Sequence, residues 1–393
     1  MKILWFPKLQ FDIDRLHITT WREMSREMNG LGHTLRLAVA GRNTNGDFGS
    51  VYIPIFIIPK KFFRIISFWI CGFFQFIVHC FKMLPDAVIF DVFTVWFSLP
   101  LIFLPKPVRP ILIIDNRTPV YLEEYHTRFN TFLMQSYTKF SFAYCKAFFD
   151  GITVITEHYR DYVCKTYGYQ AARVGVWTSG VNTERFSPER FVSEPRPDFL
   201  KGKFVLMQHG EISHVRGIFK TLRALNMIDK PDICLMLVGD VMRGKAAREH
   251  IFKELADTDT GKHLHLLPPV SNSEIPRFIS YCDCAIMAYP NIKYWNNNNP
   301  IKLVEYLSMA KPIICTDMWT FRKVMQDSPC AVYVKDNDPK RLMEAILFCY
   351  KNKELVRRYG AEGRKIALAS YSWKRQAMNL VDFIGILKKK RKA

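Results

Sequence analysis

The stretch of this chain richest in groups able to do chemistry is Trp295–Asp317, WNNNNPIKLVEYLSMAKPIICTD. Asn299 suits the N-cap of a helix, and Pro300 suits its first position, where a missing N–H costs nothing. The spacing predicts a helix over Ile301–Met309 and a buried strand over Ile313–Thr316. Such a helix start presents unpaired backbone N–H groups with the positive end of its dipole behind them, a natural seat for a diphosphate. Lys302 and Glu305 stand three apart and share a face. They offer a cation and a carboxylate side by side, although a plain surface ion pair has the same spacing. A second stretch, Phe204–Leu225, reads FVLMQHGEISHVRGIFKTLRAL. A buried strand closes at Gly210, a polar loop carries Arg216-Gly217, and an amphipathic helix follows. That order sets Arg216 at the carboxyl edge of a sheet, where open α/β folds bind ligands; a solvated loop arginine is the alternative.

Short apolar runs alternating with helical patterns must position these groups. In the first half, strands are expected at Met1–Pro7, Thr34–Ala40, Ala87–Phe90, Ile111–Ile114, Gly151–Ile155 and Arg173–Val176. In the second they fall at Phe204–Gln208, Ile233–Gly239, His263–Leu266, Cys284–Ala288, Ile313–Thr316 and Ala331–Val334. All-apolar strands with helices between them imply parallel, doubly wound sheets. The Pro-rich, charged segment GVNTERFSPERFVSEPRPDFLKGK separates the halves, and 393 residues suit two domains.

The net charge of +20 calls for an anionic partner: a phosphorylated small molecule, an acidic lipid headgroup or a nucleic acid. The chain has no recognisable nucleic-acid module and no aromatic stacking pattern among its basic residues, so nucleic acid is set aside. Its ten Cys are scattered without zinc spacing, and His263-x-His265 has no third ligand beside it. Buried free thiols and the lack of a secretory signal at MKILWF favour the cytoplasmic side of the membrane. Lys60–Lys82, KKFFRIISFWICGFFQFIVHCFK, is just long and apolar enough to span a bilayer. Its place between two strands favours a core helix or one lying in the membrane interface. The C-terminal LKKKRKA is either a solvated tail or a contact for acidic headgroups.

Taken in order, GVNTERFSP, HGEISHVRG, LMLVGD, IPRFISYCDCAIMAYP, NPIKLVEYLSMAKPIICTD and YSW resemble the GT-B retaining glycosyltransferases of the family 4 type (glycosyl transferases group 1). The likeness spans the second half; in the first half it rests on MKILWF, GLGHTL and FDGITVITEHYRDYV. The resemblance implies an α/β, GT-B fold with two Rossmann-like, doubly wound parallel-sheet domains facing a cleft. Residues 1–184 would form the acceptor-side domain, with a final helix over 374–393 returning to it. Residues 185–198 would be a linker, and 199–373 would bind the nucleotide-sugar.

The activity implied is a hexosyltransferase of the EC 2.4 type, using a UDP- or GDP-sugar and a glycan or lipid-linked acceptor in cell-surface polysaccharide biosynthesis. It would retain configuration and need no cofactor or obligatory metal; the aromatic-basic segment 60–82 joined to the polybasic end adds the expectation of a peripheral protein on the inner face of the cell membrane. Arg216 takes the diphosphate-gripping position and Glu305 the ribose-binding one, while Pro300, Ile301, Lys302 and Leu303 supply the helix start. Gly210, Glu211, Asn297, Asn298 and Asn299 complete the donor side.

The chain also departs from the family pattern. Glu211 stands where a basic residue is usual, and Asn297 where a first carboxylate is usual. Ala310 replaces a glycine, a change expected to be neutral. In the first half Asp115 and Arg117, from IIDNRTP, are expected to line the acceptor side, with Arg15 reaching toward the phosphates. A turn and a cap are the plainer readings of the first two. These losses leave an alternative function, a catalytically weak or inactive GT-B-like binding or scaffold subunit.

Overall fold

The computed structural model describes every residue except 8–15, 41–51, 56–57, 59–60, 118–127, 242–243 and 393. The chain forms two units, one of Met1–Gly180 with Trp373–Ala393 and one of Val181–Ser372. The first holds strands β1 (Lys2–Phe6), β2 (Thr34–Ala40), β3 (Tyr52–Ile55), β4 (Ala87–Phe90), β5 (Ile111–Asn116), β6 (Gly151–Val154) and β7 (Val174–Val176). They form one parallel sheet in the order β3-β2-β1-β4-β5-β6-β7. The second holds β8 (Phe204–Glu211), β9 (Ile233–Asp240), β10 (Leu264–Leu267), β11 (Cys284–Met287), β12 (Ile313–Thr316) and β13 (Ala331–Val334). Its parallel order is β10-β9-β8-β11-β12-β13.

Every strand expected from the sequence is present, and β3 is additional. Pro54 interrupts the sequence signal of β3. On an edge strand a missing N–H removes no essential ladder bond, so the proline is tolerated. Both sheets reverse strand order beside their first strand, at β1/β4 and at β8/β11. Open α/β sheets bind ligands at the carboxyl ends of the strands at such a switch.

In the first unit the helix Lys61–Met83 lies between β3 and β4 in the chain. It presses Phe68, Phe76 and Cys80 into the core, and a Cβ at Gly72 would stand 3.3 Å from the Phe97 ring. The C-terminal helix Trp373–Lys392 belongs to this unit and packs against the helix Leu16–Gly30. Lys388 Nζ reaches Asp86 at 2.6 Å, and Arg391 pairs with Asp150. Two charges of the basic terminus therefore bind internal carboxylates, while Lys389 and Lys390 stay exposed.

Residues 185–198, expected as a linker, are part of the second unit. Arg196 donates to Asp283 at 2.7 Å, Arg277 to Glu194 at 2.6 Å, and Ser308 Oγ to the Phe186 carbonyl at 2.7 Å. Local composition read as a connector because the partners of these charges lie far along the chain. All ten cysteines are free, and eight of them are buried.

Candidate functional site

Gly210, the last residue but one of strand β8, stands at φ +95°, a left-handed conformation that glycine adopts without strain. A Cβ here would stand 2.4 Å from Lys302 Cε, so the bare backbone makes room for the buried lysine. The chain then turns through Glu211 to Arg216, which closes the single turn His214–Arg216. Gly217 follows at φ +71°, where a Cβ would fall 1.8 Å from the Ala288 carbonyl oxygen. This close approach holds the Arg216 loop against the end of β11, at the switch point of the sheet.

Arg216 is fixed from several sides. Its guanidinium donates to Glu211 Oε2 at 3.1 Å and to the Tyr289 hydroxyl at 3.1 Å. It lies 5.3 Å from the centre of the Trp295 ring, within reach of a cation–π contact. Gln208 holds the Arg216 carbonyl at 3.0 Å, and the Trp295 indole donates to the Val215 carbonyl at 3.0 Å. Arg216 Nε is buried and has no hydrogen-bond partner among the described residues. A buried donor in that state is poised for an acceptor atom from a ligand.

The helix opposite β8 is Ile301–Ser308, with Pro300 rather than Asn299 at its N-cap and no side-chain cap. The expected cap is thus displaced by one residue: Pro300, at ψ 118°, is still extended and its carbonyl begins the helix. The Leu303 N–H donates to the Pro300 carbonyl at 3.0 Å, and Pro300 has no N–H. Of the four expected helix-start residues, Ile301 and Lys302 remain as amide donors toward a phosphate. The Leu303 side chain is core.

Lys302 is buried, and loss of hydration, aided by the nearby Arg216 charge, holds its pKa down to about 7. Glu305 is also buried. Its Oε2 meets His209 Nε2 at 2.9 Å, and its Oε1 lies 3.4 Å from Asn272 Nδ2. His209 Nδ1 is 2.7 Å from the Tyr306 hydroxyl. A carboxylate can only accept, so Nε2 carries the imidazole proton and Nδ1 accepts from Tyr306. Burial lowers the His209 pKa and keeps the ring neutral, which fixes Glu305 without cancelling its charge.

The sequence reading did not single out His209, Asn272, Tyr289, Trp295 or Tyr306. His209 precedes the strand-closing glycine and Tyr306 adjoins Glu305, so adjacency was the available signal for those two. Asn297 is fully buried and turns its amide to the Lys293 carbonyl at 3.0 Å. Asn298 bonds Tyr294, and Asn299 is buried. Gly210, Glu211, Arg216, Lys302 and Glu305 therefore come together, while the asparagine run builds the wall beside them.

In the first unit Asp115 lies at the carboxyl end of β5, accepting at Oδ1 from Thr153 at 2.6 Å and from the Trp177 indole at 3.0 Å. Its Oδ2 is buried with no partner among the described residues. Burial raises its pKa to about 6, against the pull of Arg117. Arg117 lies 3.4 Å above the Trp177 ring and donates to the Trp177 carbonyl at 2.8 Å. Loss of hydration lowers its pKa to about 10. Arg15 lies outside the described residues. No group of three metal-ligating side chains occurs among the described residues. His263 and His265 serve separate contacts, to the Ile233 carbonyl and to Lys203.

Comparison with known proteins gives two family matches. The family described as Glycosyl transferases group 1 matches residues 191–366, and Glycosyltransferase Family 4 matches residues 19–185. A Bacillus subtilis protein named as glycosyltransferase EpsD is 27% identical over 193 residues, 48% of each chain. A second, named for teichuronic acid biosynthesis (TuaH), is 25% identical over 196 residues, covering 48% of this chain and 46% of its own. The chain spans about half the length of the curated relatives it matches. Among solved structures, sucrose-phosphate synthase from Thermosynechococcus elongatus superposes with a TM-score of 0.73 at 13% identity, covering 97% of this chain and 98% of its own. Anabaena HepE, solved with UDP-glucose, gives 0.70 at 12% identity, covering 97% and 98%.

Proposed function

The chain belongs to the group 1, family 4 glycosyltransferases, and from that premise we propose that it transfers a sugar from a UDP- or GDP-linked donor to a glycan or lipid-linked acceptor, with retention at the anomeric carbon. The observation that carries this reading is the convergence of Arg216, Lys302 and the first turn of Ile301–Ser308 at the carboxyl edge of β8. In the reaction the bond between the anomeric carbon and the phosphate oxygen breaks, and its electron pair leaves with the nucleoside diphosphate. The acceptor oxygen bonds the same face of that carbon and passes its proton to the departing phosphate oxygen. Negative charge grows on the departing phosphate. Two cations and two backbone amides held in place beforehand stabilise that charge more in the transition state than in the ground state. They supply the positive charge that the departing diphosphate requires, which supports a reaction without an obligatory metal. Glu305, oriented by His209, accepts hydrogen bonds from the ribose hydroxyls.

The UDP-glucose bound to HepE favours a uridine donor. The name of the TuaH relative favours an acceptor in a cell-surface polysaccharide. A thermal-shift panel of UDP, GDP and their sugar conjugates tests the donor site, because a ligand of the native state alone must raise its melting temperature. UDP or GDP should stabilise the parent. Glu305→Ala should abolish the response, and Arg216→Ala should weaken binding at least about tenfold, the scale of one charge-assisted contact. Parental binding in both variants removes the assignment.

A second reading, a binding subunit with little turnover, is favoured by Glu211, which engages Arg216 where the family usually places a base. Donor binding without release of sugar from a labelled UDP-sugar, with or without acceptor glycan, would support it.

A further inference from the structure

We infer that the first unit docks on an acidic lipid surface through the outer face of the helix Lys61–Met83, lying in the plane of the interface. The inference does not rest on the donor chemistry of the second unit. Seven described side chains of this helix are exposed; six are apolar (Phe63, Ile66, Ile70, Phe74, Val78 and Phe81) and the seventh is Lys82. Their spacing of three or four residues draws one stripe along about 27 Å of helix, from Phe63 to Phe81. A helix that met only water on this side would carry polar residues there. Phe74 is 63% exposed and Phe81 76%.

The inner side of the helix packs on neighbouring segments. Phe97, from the turn after β4, packs on Trp69 at 5.2 Å, and Trp96 of the same turn bonds Tyr137 of the helix Arg128–Phe148 at 2.8 Å. Further along those two segments of the chain, Phe103 is 82% exposed and Phe140 is 70% exposed. Six exposed apolar side chains along one face of a single helix mark an interaction site.

Charge selects the occupant. Residues 61–85, 92–114 and 128–149 contain no Asp or Glu, yet carry Lys82, Lys106, Lys139 and Lys146 among their exposed side chains. Exposed aromatic and aliphatic side chains, on segments whose only exposed charges are cationic, suit the boundary between acyl chains and anionic headgroups. A second copy of this chain would bring the same cations face to face. The other side of the helix argues against spanning, because Phe68, Phe76 and Cys80 are buried in the core of the first unit.

The test is co-sedimentation of the full chain with vesicles of phosphatidylcholine, with and without phosphatidylglycerol, alongside sedimentation velocity without lipid. The parent should be monomeric and bind vesicles, at least tenfold more tightly when phosphatidylglycerol is present. Ile70→Glu with Phe74→Glu should keep the parental circular dichroism and melting temperature, since both side chains are exposed, and should lose vesicle binding at least tenfold. Parental vesicle binding in that variant overturns the inference. So does a lipid-free dimer that the variant converts to monomer while the parent ignores vesicles.

Discussion

Lys302 carries the most unusual electrostatics of the second unit. The free protein holds it near half-charged at neutral pH, because desolvation and Arg216 outweigh the attraction of Glu305 and Glu211. A bound diphosphate favours the ammonium form and must raise that pKa. The lysine is therefore neutral in the free protein above pH 7, and binding takes up a proton. Affinity for UDP should fall as pH rises from about 7 to 9, by up to tenfold per unit, and level off below about 7, where the lysine is already charged. Calorimetric titration in buffers of different ionisation heat reads both affinity and proton uptake. Lys302→Met should bind more weakly and take up no proton; a parent whose affinity is flat over that range contradicts this role. The types and spacing of Lys302, Glu305 and Arg216 were legible in the chain. His209 was not, because its partner Glu305 lies 96 residues away and no local pattern marks the pair.

At the scale of elements, the periodicity of apolar residues placed strands and helices well, and their ends less well. The turn from Ile301–Ser308 into β12 sets Ala310 at φ +52°. A left-handed conformation costs a residue with a Cβ about 1–2 kcal/mol, so the alanine is not the neutral replacement expected. Ala310→Gly should stabilise the protein by about 1 kcal/mol after allowing for the greater chain entropy of glycine. Urea midpoints decide it: an equal or lower midpoint would show that contacts of the Ala310 methyl offset the strain. Alanine is a strong helix former, so nothing in its identity signals a positive φ. The segment 185–198 misled in the opposite sense, since its prolines and charges resemble a connector until Asp283, Arg277 and Ser308 are seen to hold it.

At the scale of the whole molecule, the candidate donor groups lie in 181–372 and Asp115 lies in the first unit. If the first unit serves the acceptor, Asp115→Asn should leave UDP affinity unchanged and lower transfer at least tenfold, because Asp115 Oδ2 is the buried atom left for a substrate hydroxyl. Loss of UDP binding together with transfer would assign Asp115 a structural role instead. The positive excess divides similarly. Arg216 and Lys302 suit phosphates, Lys388 and Arg391 hold the last helix, and Lys82, Lys106, Lys139 and Lys146 of the first unit stay exposed.

Hydrophobic period and residue type act over a few neighbours, so the linear chain sufficed for the paired α/β architecture, the approximate strands and the cation–carboxylate helix. Three matters waited for the folded chain: which side of the Lys61–Met83 helix is core, which hydroxyl meets Arg216 (that of Tyr289), and which imidazole steadies Glu305. Each depends on contacts between residues remote in sequence, where packing against the sheets, rather than local preference, selects the partner.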